Sequence, residues 1–148
     1  MKITTQQKKA YENEKARIEA LLDSGNTVGG INEQYWELVK KEAELILDHA
    51  SVIKDIDTEK AGLGTVFTAA IDGEIIESQL VQENYLPLTD LEDVDFTSID
   101  SPIGKAVADK MAGERIEYSV GNRNFSGIVL SLSDRFASEL EDTAKIVK

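Results

Sequence analysis

The spacing of apolar residues changes once along this chain, near residue 60, and that change limits what the chain can fold into. Up to about Lys54 apolar residues return every three or four positions, the period of a helix with one buried face. From Gly64 onward they return mainly every second position, the period of a strand. Helices first and strands afterwards predict an α+β chain rather than an alternating α/β one.

The helical part divides in two. Residues Thr4–Asp23 are predicted to form a helix, with Thr4 and Thr5 as candidate caps. Tyr11, Ile18 and Leu22 share a face, with Ala10 and Leu21 beside it. Lys8, Lys9, Glu12, Glu14, Lys15, Arg17 and Glu19 are assigned to the wet side. Ser24–Gly30 holds three glycines and an asparagine and is predicted to be a turn. Asn32 is the expected cap of a second helix running to about Lys54. Its stripe is Tyr35, Val39, Ala43, Ile46, Ala50 and Ile53, widened by Leu38, Leu45 and Val52. Two helices joined by so short a loop lie antiparallel, so Thr4–Lys54 reads as a helical hairpin. Trp36 and His49 sit at the margin of the stripe, where packing is the expected role of each.

Asp55–Gly64 is charged and ends in glycines, which marks a boundary. Gly64–Asp72 alternates as a strand, with Phe67, Ala69 and Ile71 on one side and Val66, Thr68 and Ala70 on the other. Asp72-Gly73 is a hairpin turn, and Glu74–Glu83 the return strand. Leu86–Phe96 holds Pro87 and four acids and is expected to be mostly loop. Arg115–Val120 and Asn124–Leu132, around Gly121-Asn122, form a second predicted hairpin. The tail Arg135–Lys148 is weakly helical, with Phe136, Leu140, Ala144 and Val147 as its stripe. The expected division is a hairpin over 1–58, a sheet domain over 59–136 and a tail over 137–148.

The most specific text is Ser98–Glu114. Ser101 followed by Pro102 is a strong helix start: the hydroxyl caps an orphan N–H, and proline at the first helical position has no N–H to lose. Asp100 adds negative charge at the positive end of the helix dipole. Ile103, Ala106, Val107 and Met111 follow at helical spacing, and Gly113 is expected to end a helix over Ser101–Met111. By themselves these residues describe a capped amphipathic helix on a sheet.

Composition narrows the function. The 148 residues contain no cysteine, which removes disulfides, thiolate zinc sites and cysteine nucleophiles. One histidine cannot make a multi-histidine metal site or a triad. No run approaches the ~18 apolar residues that span a bilayer, and the N-terminus has no signal-peptide core. A cytoplasmic protein without membrane attachment is expected. The net charge is −12. Residues 1–60 carry 9 basic and 12 acidic side chains, and the remainder 7 and 16. Neither part has the basic excess that neutralises phosphates, so strong direct nucleic-acid binding is not expected. The acidic balance reads either as solubility or as attraction to a basic surface on a partner.

The Ser98–Glu114 stretch resembles the C-terminal signature of the Gre-type transcription elongation factors (GreA/GreB). In that family Ser-x-x-Ser-Pro-aliphatic-small leads into a short helix ending in Gly-acidic. The matching residues are Ser98, Ser101, Pro102, Ile103, Gly104, Ala106, Val107, Gly113 and Glu114, while Ala108 departs from a larger aliphatic preference. The order of elements also agrees with the family plan of an antiparallel coiled coil followed by a small FKBP-like antiparallel sheet with one short helix. The resemblance implies binding to bacterial RNA polymerase at its secondary channel. Docking through the Ser-Pro loop then falls to Asp100, Ser101, Pro102 and Ile103.

In cleavage-stimulating members two carboxylates at the hairpin tip help hold Mg²⁺ in the polymerase active site. Asn32 and Tyr35 match the family's asparagine–tyrosine spacing, but Val28 and Ile31 then stand where the acids belong. Sliding the alignment to use Glu33 leaves Gly30 in the other place. Asp23 and Glu33 flank the turn and are the candidate carboxylates, at a different spacing. The resemblance therefore implies a polymerase-binding regulator with little or no cleavage stimulation, no intrinsic enzymatic activity, and no metal or cofactor beyond the polymerase's own Mg²⁺. Alternatives are an active cleavage factor, an FKBP-like binding module or prolyl isomerase, and a coiled-coil adaptor. An isomerase site would draw its aromatic lining from Phe67, Tyr85, Phe96, Tyr118 and Phe125.

Overall fold

The computed structural model describes residues 2–24, 30–82 and 95–136. The chain is α+β and divides into two compact units, one built on the chain up to Val52 and the other starting at Ile53.

The first unit is built on two helices, α1 (Thr5–Ser24) and α2 (Gly30–His49). Their direction is fixed by two ion pairs: Lys15 Nζ lies 3.7 Å from Glu44, and Lys40 Nζ lies 3.5 Å from Glu19. The later residue of α1 pairs with the earlier residue of α2, as antiparallel helices require. These exposed pairs set register more than stability, since each is worth about 0–1 kcal/mol. Stability comes from the seam, where Ile3, Tyr11 and Ala43 are buried and Ile46, Leu47, Ala50 and Val52 pack against them. Ala10 and Ile18 are buried as the spacing predicts.

Several features of this unit depart from the sequence reading. Glu14, assigned to the wet side, is only 2% exposed, because it falls one helical step from Tyr11 and Ile18 on the inward face. Asn32 does not cap α2, since the helix already begins at Gly30. The second helix also stops at His49 rather than Lys54. Ala50 N–H makes a bond to Ile46 O, and Ser51–Val52 (β2) then leaves to pair in parallel with Lys2–Ile3 (β1). The terminal clasp wins because it buries Ile3 and Val52 beside the seam. His49, expected to pack, is exposed. The predicted turn falls on 25–29, outside the described residues.

Thr4 starts α1 through a reciprocal pair. Its Oγ1 accepts from Gln7 N–H at 3.0 Å, and Gln7 Oε1 accepts from Thr4 N–H at 3.0 Å. This is a capping box, and both residues are fully buried.

The second unit is a five-stranded mixed sheet carrying one short helix. β3 (Val66–Ile71) and β4 (Glu74–Val81) form a hairpin turned by Asp72 and Gly73, both at positive φ. β6 (Arg115–Val120) and β7 (Arg123–Ser133) form another, and β7 lies against β3. A bulge between Thr68 and Ala69 shifts that last register. The edge next to β4 is β5 (Phe96–Ser98), so the strand order is β5-β4-β3-β7-β6.

β5 runs parallel to β4 and so makes the sheet mixed rather than antiparallel throughout. Three residues are too few for alternation to reveal a strand, which is why Phe96 reads as the end of a loop. A parallel neighbour needs a crossover of about a dozen residues, and the acidic stretch before Phe96 supplies that length of chain; residues 83–94 lie outside the described ones. Ser78 ties the edge down by sharing a hydrogen bond of 2.6 Å with Thr97 Oγ1.

Phe67, Ala69 and Ile71 point into one core with Leu80, Val107, Ile116 and Val129, as the alternation predicts. Before the sheet, the Asp57 carboxylate accepts from Glu59 N–H and Lys60 N–H at 2.8 and 3.1 Å. Thr65 Oγ1 then donates to Asp57 O at 2.7 Å, pinning the segment ahead of the sheet to the start of β3. The described part of the expected tail ends at Phe136, which is buried.

Thr4→Ala should lower the stability of the helical unit by about 1 kcal/mol, read as an earlier loss of helical circular dichroism in urea. A second expectation concerns acid. The Lys60 and Glu59 N–H groups hold the Asp57 carboxyl below its ordinary value of 3.8. Its stabilising effect is present above that value and is lost as pH falls through the lower folded one. Asp57→Asn keeps an accepting oxygen but removes the titration, so it should flatten the acid limb of a stability profile below about pH 3.8.

Candidate functional site

The site grows from the end of β5. Ser98 is its last residue, and the Ser98 carbonyl oxygen accepts from Ser101 N–H at 3.0 Å and from the Ser101 hydroxyl at 2.6 Å. The same hydroxyl oxygen accepts from Gly104 N–H at 3.0 Å, which makes Ser101 the N-cap of α3 (Pro102–Val107). Pro102 occupies the first helical turn, where its missing N–H costs nothing.

This chain of bonds decides which side chains face out. Asp100 and Pro102 are exposed on the turn, while Ser101 and Ile103 are half-buried. Ile103 and Ala106 pack on the sheet core, and Val107 is fully buried in it. The four residues expected to dock are thus brought together on one turn, although Ile103 turns largely inward.

Gly104 is dictated by the same joint. A Cβ built on it would fall far inside van der Waals distance of the Ser98 carbonyl oxygen. Only glycine lets the first turn of α3 approach the end of β5 this closely.

The helix is shorter than its spacing predicts. It ends at Val107, and Ala108 already has an extended ψ of 135°. Asp109 then takes φ 65°, and the backbone exchanges bonds with Ala61: Asp109 N–H to Ala61 O at 2.8 Å, and Ala61 N–H to Lys110 O at 2.9 Å. Those tertiary bonds replace the next helical turn. Met111, expected on the buried stripe, is therefore 47% exposed. Gly113 has a φ of 93° but does not end the helix; its N–H bonds Val129 O at the entrance to β6.

The candidate carboxylates are placed less fully. Asp23 is exposed in the last turn of α1. Glu33 lies in the first turn of α2, with its side chain outside the described residues. Among the described residues no three histidine, aspartate or glutamate side chains gather as a metal site would require, and no helix is long and apolar enough to cross a membrane.

Of the aromatic residues considered for a pocket, Phe67 is fully buried in the core and Phe96 is half-buried on β5. Tyr118 and Phe125 stack on each other at 5.1 Å, and the Arg123 guanidinium lies 5.0 Å from the Phe125 ring. Burial, with a smaller contribution from the Asp72 charge, pushes the Tyr118 hydroxyl above its usual range. Tyr85 lies outside the described residues. The stacked pair lines an open pocket together with Glu117, Ser119, Asn124 and Ser126.

No protein-family model matches the sequence, and no curated protein matches it. Solved structures do. The GreA factor homolog 1 (Gfh1) protein of Thermus thermophilus is 20% identical, with 90% of this chain and 98% of that one covered, at a TM-score of 0.40. Gfh1 of Thermus aquaticus is 20% identical over 89% and 97%, at 0.41. The prokaryotic transcription elongation factor GreA/GreB from Nitrosomonas europaea is 19% identical over 90% and 98%, at 0.39.

Gly104→Ala should destabilise the sheet unit by ~1–3 kcal/mol through overpacking, and Ser101→Ala by about 1 kcal/mol through loss of the cap. Equilibrium unfolding of both variants checks this; equal stability for Gly104→Ala and wild type would refute the close approach.

Proposed function

We propose that this chain is a regulator of transcription elongation that binds bacterial RNA polymerase at the secondary channel and stimulates transcript cleavage little or not at all. The observation that carries the reading is the turn at Asp100–Ile103. Its sequence matches the Gre-type signature, and its cap holds Asp100 and Pro102 outward on a backbone tied to β5 by Ser98 and Gly104.

The physical division of labour follows from the two units. The Ser101–Pro102 turn supplies a compact docking point with an acid beside it, suited to a basic surface on the polymerase. The hairpin is short: the 20 residues of α1 extend roughly 30 Å at 1.5 Å per residue, which favours a non-cleaving role. Cleavage stimulation needs hard oxygen ligands that complete a two-metal site. Residues 28 and 31, where the family carries its acids, are Val28 and Ile31 here. That substitution supports occupancy of the channel without delivery of metal ligands.

The test uses stalled, backtracked bacterial elongation complexes, with binding and RNA length read in parallel. The expected outcome is binding with unshortened RNA, abolished by Pro102→Asp in a variant whose circular dichroism is unchanged. Binding with cleavage that Asp23→Ala/Glu33→Ala removes would make the protein an active cleavage factor. Absence of binding by the wild type would overturn the reading.

A further inference from the structure

α2 is apolar over a wider arc than α1 covers. Val39, Ala43, Ile46 and Ala50 form one stripe, with Ala43 buried and the others half-buried toward the hairpin seam. Tyr35, Leu38 and Leu45 lie on the neighbouring stripe, where Leu38 and Leu45 each precede a seam residue by one position and so are rotated from it by about 100°. The three are 50%, 66% and 51% exposed. They span about 15 Å of helix at 1.5 Å per residue.

The charges around this face decide what can lie on it. Glu42 is exposed within the stripe itself, Lys41 and the neutral Gln34 flank its outer side, and Glu37 and Asp48 stand exposed just beyond them. A second copy of the chain would bring the same acids and the same net charge of −12 against them. Nucleic acid is repelled for the same reason. A helix with leucine-like residues on one face and lysine or arginine beside it satisfies both the apolar residues and the acids.

We infer that the exposed face of α2 is a docking surface for a basic amphipathic helix of a protein partner. The partner helix lies along the hairpin as a third helix, its apolar face on Tyr35, Leu38 and Leu45 and its basic residues on Glu37, Glu42 and Asp48. This surface belongs to the helical unit and is tested without polymerase.

The probe is a labelled peptide of about 20 residues with leucine on one helical face and lysine on the other. A scrambled isomer whose leucines share no face and a leucine–glutamate version serve as controls. Anisotropy of the label and emission of Trp36 report binding to the full chain; Trp36 is the single tryptophan, and its ring lies 4.9 Å from that of Tyr35. The amphipathic lysine peptide is expected to bind and to shift Trp36 emission, with both controls at least about tenfold weaker. Leu38→Gln/Leu45→Gln should weaken binding by a similar factor, while Ile75→Gln, at a comparably exposed site on β4, should leave it unchanged. Equal binding of the scrambled isomer would overturn the proposal, as would unchanged binding by Leu38→Gln/Leu45→Gln. So would a dimer of the wild-type chain in sedimentation that those two substitutions dissolve.

Discussion

The carbonyl oxygen of Ser98 accepts from both the N–H and the hydroxyl of Ser101, and Gly104 closes on it from the first turn of α3. Three features depend on that joint. It ends β5, it starts α3, and it sets the angle at which Val107 enters the sheet core. Because the cap, the missing proline N–H and the missing Cβ all act within seven residues, the exposed turn is held by short-range bonds as well as by packing. An exposed loop held in this way would lose little conformational entropy in the docking proposed for it.

The helical unit is organised on the opposite plan, with little apolar surface and much polar detail. Gln7 and Glu14 are buried along the inward face of α1 beside Tyr11 and Ile18. A seam containing such residues is stabilised less by area than a fully apolar one, so the ends matter more. One end is closed by the Thr4–Gln7 capping box and the parallel pairing of Lys2–Ile3 with Ser51–Val52. The inter-helix pairs Lys15–Glu44 and Lys40–Glu19 fix the register between. α1 is too narrow in apolar width to cover α2, and the uncovered width is where Leu38 and Leu45 meet solvent.

Charge separates the classes of partner for both surfaces. In both proposals, Asp100 beside the Ser-Pro turn and the acids along α2 would face a basic protein surface, in keeping with a net charge of −12. The two surfaces differ in what else they offer: a proline and a half-buried isoleucine on a tight turn, against a tyrosine–leucine stripe about three helical turns long.

The sequence by itself determined the two periods, the two sheet hairpins and the capped start of α3. These are local matters: Asp72-Gly73 selects its turn, Ser101-Pro102 its helix start, and Phe67, Ala69 and Ile71 their face, each within a few residues. Asp100–Ile103 was legible as the start of a capped helix for the same reason. Tertiary structure decided the places where distant backbone competes with local preference. Ala61 ends α3 four residues before its apolar spacing does, and Lys2–Ile3 ends α2 before Val52 can continue its stripe. β5 exists only because β4 offers it an edge. Which part of α2's apolar arc is buried was likewise settled by the width of α1, a property of the pair that no spacing within either helix contains.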